Sequence, residues 1–196
     1  MVMATHNQHK VGELRQILSG LLEAGDVIGA GEAGAPDVAE TGVTFAQNAL
    51  LKARAVAAHT GLIAVADDSG LAVDILGGAP GIFSARWAGR HGDDTANLNL
   101  LLDQLADIAP EHRRARFVCA AALATPEGTD VVEHGYLPGV LLTEPRGSGG
   151  FGYDPILVPD GQDRSCAELS PTEKNAISHR GQAFRALATH LGPLLG

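Results

Sequence analysis

The feature that most constrains this chain is a pair of adjacent carboxylates inside an apolar stretch. Residues 62–66 are apolar and are followed directly by the sequence DDSG at residues 67–70. A second apolar run begins at residue 71. This pattern predicts two strands that meet at a tight acidic turn. Carboxylates at a strand end can hold a hard cation such as magnesium, or they can take a proton from water.

The length and composition of the chain are typical of a globular enzyme of moderate size. With 196 residues, 45% apolar and 19% charged, it fits one domain spanning residues 1–196, with or without two lobes. A formal net charge of −9 disfavours nucleic acid as a partner, because binding to DNA or RNA needs a basic face. The sequence contains neither a long apolar run nor the features of a signal peptide, so we expect no membrane association.

Cysteine and lysine are both scarce in this chain. The two cysteines, Cys119 and Cys166, are far apart and form no paired motif, so we expect neither zinc nor a disulfide. A cytoplasmic location fits best. Lysine is rarer than arginine, with three against eleven, and the three are Lys10, Lys52 and Lys174. Either this number is chance, or lysine is kept where a compact ammonium is needed.

Two early segments carry polar side chains that could belong to a binding site. Residues 2–5 read as a strand, a polar loop follows, and a helix begins near Lys10, so phosphate could bind at the helix N-terminus; an ordinary turn would look the same. Further on, Thr44 opens a long helix that should run to about His59. Its polar side chains Thr44, Asn48 and Lys52 form one stripe, which faces either a polar cleft or bulk water.

The second half of the chain predicts a mixed sheet and a second polar region. The helix that follows Asp93 has apolar residues at core spacing and shows no chemistry, and strands are predicted at residues 115–125 and 130–143. The glycine-rich stretch at residues 147–155 carries Phe151 and Tyr153 and reads as either a nucleobase platform or a connector. Hairpins as well as crossovers imply an α/β fold with a mixed central sheet flanked by helices.

Taken together, these segments resemble one family, the inosine triphosphate pyrophosphatases, also called dITP/XTP pyrophosphatases. The resemblance covers nearly the whole chain. The matching segments are residues 5–10 (THNQHK), 40–45 (ETGVTF), 48–49 (NA), 52–53 (KA), 66–71 (ADDSGL), 77–81 (GGAPG), 84–86 (SAR), 149–155 (GGFGYDP) and 178–181 (SHRG).

The resemblance implies hydrolysis of non-standard purine nucleoside triphosphates (ITP, dITP and XTP) to the monophosphate and pyrophosphate. It also implies a magnesium cofactor, a homodimer, and two lobes with the active site in the cleft between them. Asp68 would accept a proton and bind the metal together with Glu40, while Lys10 and Lys52 would hold the phosphates. Because neighbouring strand residues point to opposite sides, Asp67 would support Asp68 rather than share its metal.

The remaining site residues implied by the resemblance bind the substrate. Phe151 would stack on the base. The other residues are Thr5, Asn7, Asn48, Ser69, Gly152, Tyr153, Asp154, Lys174, His179 and Arg180. Of these, Lys174, His179 and Arg180, with Tyr153 and Asp154, would read the base edge. Two alternatives stay open: a pyrophosphatase that acts on modified pyrimidine or ordinary deoxynucleoside triphosphates, and a nucleotide sensor without catalysis.

Overall fold

The computed structural model describes residues 1–6, 8–19 and 24–195. Within these residues, six strands form one sheet in the order β2-β1-β3-β4-β5-β6. The strands are β1 (Val2–Met3), β2 (Ile28–Gly29), β3 (Ala64–Val73), β4 (Arg114–Ala124), β5 (Asp130–Leu141) and β6 (Leu157–Pro159). The α-helices are α1 (Gln8–Ile17), α2 (Phe45–Thr60), α3 (Asp94–Gln104), α4 (Pro171–Ile177), α5 (His179–Ala188) and α6 (Gly192–Leu195). Short 3-10 turns lie at Ala24–Asp26, Asp74–Leu76, Gly81–Arg86 and Pro110–His112.

The sheet is mixed, which confirms the predicted fold class. Strand β1 pairs in parallel with both β2 and β3, whereas β5 and β6 are antiparallel. Parallel partners need a crossover connection, and α1 and α2 lie in the segments that join these strands. No helix in the described part of the chain has the length and apolar character needed to cross a membrane.

The central strand β3 corrects one prediction. The sequence predicted two strands and a tight turn at residues 67–70, and this is wrong, because β3 is continuous from Ala64 to Val73. Gly70 does not turn the chain. It leaves room for a close neighbour, since a Cβ atom there would lie 2.6 Å from the Gly81 carbonyl oxygen. The two carboxylates remain inside the strand because each has a polar partner within the fold.

Two compact units make up the chain. Unit 1 contains residues 1–68, 119–135 and 180–196, and unit 2 contains residues 69–118 and 136–179. The core of unit 1 consists of two clusters: one includes Met3, Val65 and Phe184, and the other contains the buried alanines of α2. The core of unit 2 gathers side chains of α3 with those of β3, β4 and β5. That residues 1–196 act as one catalytic domain stays a prediction.

The capping signals read from the sequence define α2 and α4. Thr44 caps α2 by accepting a hydrogen bond from the Gln47 amide, and Gly61 ends the helix with a φ of 66°. The Gln47 side chain accepts from the Val43 amide at 2.8 Å, so the return bond lies one residue earlier than in a full capping box. Ser170 and Glu173 form a complete capping box at the start of α4.

Candidate active site

Asp67 is a buried carboxylate held by two cations of unit 1. Lys10 Nζ lies 3.1 Å from both of its oxygens, and Arg180 Nε lies 3.2 Å from Oδ2. The Asp67 side chain is only 1% exposed. Burial by itself would raise the pKa of Asp67, but the positive charges of Lys10, Arg180 and Lys52 outweigh it and hold the pKa far below its ordinary value. Asp67 is therefore a fixed anion that sets the positions of two cations.

Asp68 has the opposite environment, although it is the next residue of the same strand. Its Oδ2 accepts a hydrogen bond from Asn48 Nδ2 at 3.0 Å. Burial raises the pKa of Asp68; Lys52 and the bond from Asn48 oppose this shift, and the carboxylates of Glu40 and Asp67 add to it. The net effect is a raised pKa, which suits a carboxylate that takes a proton during a reaction.

Asn48 links Asp68 to the loop that carries Glu40. Its Oδ1 accepts from the Gly42 amide at 2.8 Å, so the two ends of the side-chain amide serve partners of opposite type. Gly42 has to be small here, because a Cβ atom would lie 2.7 Å from that oxygen. Asn48 is 1% exposed. Of the two readings of the polar stripe on α2, the structure therefore favours a buried polar site over bulk water for Asn48.

Lys52 and Glu40 complete the polar group of unit 1. Lys52 Nζ lies 2.5 Å from Glu40 Oε1, and its side chain is 15% exposed. Burial would lower the pKa of Lys52, but the charges of Asp67, Asp68 and Glu40 and the hydrogen bond to Glu40 raise it above its ordinary value. The lysine is therefore held as a cation. We call the set Lys10, Glu40, Asn48, Lys52, Asp67, Asp68 and Arg180 the carboxylate cluster.

Two carboxylates of the cluster, Glu40 and Asp68, are suited to magnesium. Among the described residues, no group of three or more His, Cys, Asp or Glu side chains is arranged to hold a metal by itself. Glu40 and Asp68 are close enough for their charges to interact. Magnesium is commonly held by one or two carboxylates together with water and substrate phosphates, so two carboxylates are sufficient for it. The donor set is poorly suited to zinc, which prefers nitrogen and sulfur.

In unit 2, the glycine-rich segment of residues 149–154, here called the aromatic loop, presents Phe151 to solvent. Phe151 is 57% exposed, and Lys174 Nζ lies 5.2 Å from its ring centre. Asp154 Oδ2 accepts from the Phe151 amide at 2.8 Å and from Lys174 Nζ at 2.5 Å. An exposed ring on a fixed backbone is suited to stacking on a flat ligand.

Other predicted base-reading residues have structural partners in this conformation. Tyr153 is buried, and its hydroxyl donates to the Ser84 carbonyl oxygen at 2.9 Å. The His179 ring stacks on Phe117 at a centroid distance of 5.0 Å. Arg180 donates a hydrogen bond to the Asp67 carboxylate within unit 1. Direct contact of these three side chains with a base stays a prediction.

The remaining predicted residues divide into three groups. Thr5 and Ser69 are partly exposed, Thr5 just after β1 and Ser69 within β3 next to Asp68. Gly152 lies in the aromatic loop with a φ of 59°. Asn7 falls outside the described residues.

Sequence reasoning missed one side chain that contacts the aromatic loop. Asp94 Oδ2 accepts a hydrogen bond from the Gly152 amide at 2.9 Å. The two residues are 58 positions apart, and Asp94 begins a helix whose pattern indicated only core packing. No local signal in the sequence could have identified this contact.

Known proteins share the sequence similarity and the fold of this chain. The sequence model of the Ham1 family matches residues 1–190. A protein of Streptomyces coelicolor named "dITP/XTP pyrophosphatase" is 64% identical over all of this chain and 98% of its own length. One of Mycobacterium tuberculosis with the same name is 52% identical over 99% of this chain and 96% of its own length.

Solved structures agree with these matches. A HAM1 protein from Coxiella burnetii has a TM-score of 0.90 and 43% identity over 98% of both chains. A nucleoside-triphosphatase from Mycobacterium abscessus, also titled dITP/XTP pyrophosphatase, has a TM-score of 0.78 and 52% identity over 97% of both chains. With a family match over nearly its full length and relatives of this similarity, the chain belongs to the Ham1 family.

Proposed function

We propose that this chain hydrolyses dITP, XTP and ITP to the nucleoside monophosphate and pyrophosphate, and so removes deaminated purines from the nucleotide pool. The observation that carries the proposal is the contrast between two neighbouring carboxylates. Asp67 is a charged carboxylate that pairs with two cations, whereas Asp68 has a raised pKa and contacts a neutral amide. One carboxylate thus organises positive charge, and the other is available for proton transfer.

The carboxylate cluster supplies groups for each requirement of the reaction. Asp68 takes the proton of the water that attacks the α-phosphorus. Lys10 and Lys52, now paired with Asp67 and Glu40, provide compact positive charges for the phosphate oxygens. Glu40 and Asp68 would hold magnesium, which when bound offsets phosphate charge and makes a bound water more acidic.

The aromatic loop supplies the contact for the base. A purine stacks on Phe151, and Lys174 beside it can donate to an oxygen on the base edge. A 6-oxo group, as in hypoxanthine, accepts such a hydrogen bond, whereas the 6-amino group of adenine would leave the donor unpaired. Ser69 contacts the phosphates, and Thr5 also contacts the substrate.

The setting of the enzyme is also part of the proposal. A homodimer is expected from the family resemblance. A cytoplasmic location is also proposed, because Cys119 and Cys166 are far apart in the sequence and form no paired motif.

The proposal is tested by measuring pyrophosphate release from a panel of nucleotides. With magnesium present, ITP, dITP and XTP should have a kcat/KM at least about tenfold above those of ATP, GTP and dTTP. Removal of magnesium with EDTA should abolish release from all of them. Equal rates on all substrates would contradict the preference for deaminated purines, and a preference for dTTP or modified pyrimidines would favour a different substrate class.

Replacing Lys52 by arginine tests whether lysine is retained for its geometry. Lys52→Arg keeps the charge, but a planar guanidinium is larger than the ammonium that now contacts Glu40 in a nearly buried space. We expect kcat/KM for ITP to fall by about 10²-fold. The exposed replacement Arg114→Lys serves as the control and should leave turnover unchanged. A Lys52→Arg enzyme with nearly normal kcat/KM would refute the requirement for an ammonium.

A further inference from the structure

We propose that Asp94, on helix α3, is a positioning residue for nucleobase recognition, because it fixes the backbone of the aromatic loop that presents Phe151. The inference rests on the proposed function in one respect, namely that the base stacks on Phe151. Asp94 itself is not proposed to touch the substrate.

The carboxylate of Asp94 is not used to cap its own helix. Asp93 caps α3, and its Oδ1 accepts the Ala96 amide at 3.1 Å. Asp94 is the first helical residue, and its Oδ2 instead accepts the Gly152 amide at 2.9 Å. Two consecutive aspartates therefore have separate tasks, one within the helix and one in a distant loop.

Helix α3 is held in place by buried side chains, so it can fix the position of Asp94. Leu98 and Leu101 of the helix and Leu105, its C-cap, are buried in the same core cluster of unit 2 as Tyr153. The amide oxygen of Asn97, also buried, accepts from the Ala88 amide at 2.7 Å. The helix and the inner side of the aromatic loop are thus packed into one core, so the Asp94 carboxylate has a fixed position relative to the loop.

Two carboxylates hold consecutive amides on either side of the Phe151 Cα atom. Asp154 accepts the Phe151 amide at 2.8 Å, and Asp94 accepts the Gly152 amide at 2.9 Å. Because these amides flank Phe151, the direction of its Cα–Cβ bond is set by both bonds together. Gly150 and Gly152 have positive φ values of 71° and 59°, a conformation that side chains rarely allow. Fixing such a loop before binding reduces the entropy lost when a base stacks on the ring.

The test compares three variants of the full chain. Asp94→Ala removes the acceptor and should raise the KM for ITP by about five- to tenfold, with kcat within about twofold of the unchanged protein, if one hydrogen bond positions the loop. Asp94→Asn keeps an oxygen that can accept from the Gly152 amide, so it should restore most of the affinity. Asp103→Ala, an exposed change on the same helix, is the matched control and should alter neither constant.

A double-mutant cycle with Phe151→Ala separates positioning from general loss of structure. If Asp94 acts through Phe151, Asp94→Ala should cause no further rise in KM once Phe151 is alanine. Calorimetric binding of inosine monophosphate, a probe without the triphosphate, should show the same pattern. The inference would be overturned if Asp94→Ala left KM unchanged, or if it lowered kcat by as large a factor as it raised KM. Additive effects of the two changes in the cycle would overturn it as well. These results leave the proposed function intact, which fails only if the unchanged protein does not hydrolyse deaminated purine nucleotides.

Discussion

Asp68→Asn is expected to reduce kcat for ITP by about 10³-fold while the protein stays folded, because the amide cannot accept a proton from water. Asparagine has the shape of aspartate, and its oxygen can still accept the hydrogen bond from Asn48 Nδ2 that now reaches Asp68. The thermal midpoint should therefore change little. The measurements are steady-state pyrophosphate release and thermal unfolding.

The matched control for this experiment is Asp130→Asn, which changes a carboxylate of unit 1 that pairs with the exposed Arg54. That variant should keep normal turnover. Full turnover in Asp68→Asn would disprove the role of Asp68 as the proton acceptor. An unchanged protein that binds ITP without releasing pyrophosphate would support a nucleotide sensor instead.

Asp67→Asn is expected to destabilise the fold by about 3 kcal/mol and to abolish activity as well. The change removes the negative charge shared by Lys10 and Arg180, and the Arg180 side chain is only 7% exposed. Removing one partner of a buried ion pair leaves the other charge less well compensated, which is the costly part of such pairs. Chemical denaturation with a linear extrapolation would measure the loss.

The pH dependence of Asp67 has a defined sign. Its pKa in the folded chain lies well below that in the unfolded chain, because the cations outweigh the effect of burial. Its stabilising contribution should therefore be complete above the unfolded pKa of about 4 and should be lost only as the pH falls below that value toward the folded pKa.

Two variants check that charge is the cause of the instability. Asp160→Asn removes a carboxylate whose pair with Arg114 is exposed, and it should cost less than about 1 kcal/mol. Adding Arg180→Gln to Asp67→Asn should recover part of the lost stability, since it reduces the excess positive charge left around residue 67. If Asp67→Asn is as stable as the Asp160→Asn control, the buried charge network does not stabilise the fold.

Local sequence signals predicted much of the secondary structure correctly. Thr44, Gly61 and Ser170 mark helix ends as expected, because capping depends on residues only a few positions apart. The mixed sheet also followed from the alternation of hairpin and crossover signals. The prediction at residues 67–70 failed for the same local reason. A charged pair next to glycine usually marks a turn, and the distant partners that keep β3 straight were not visible in the sequence.

What the sequence alone determined was the set of residue types and the family they resemble. It identified Asp68, Glu40 and the three lysines as candidates, and it predicted that Asp67 and Asp68 would differ because strand side chains alternate. Tertiary structure decided their environments. Asp67 meets Arg180 from 113 positions away, and Gly152 meets Asp94 from 58 positions away. Charge compensation and burial depend on such long-range contacts. Only the folded chain therefore fixes which carboxylate stays charged beside cations and which can take a proton.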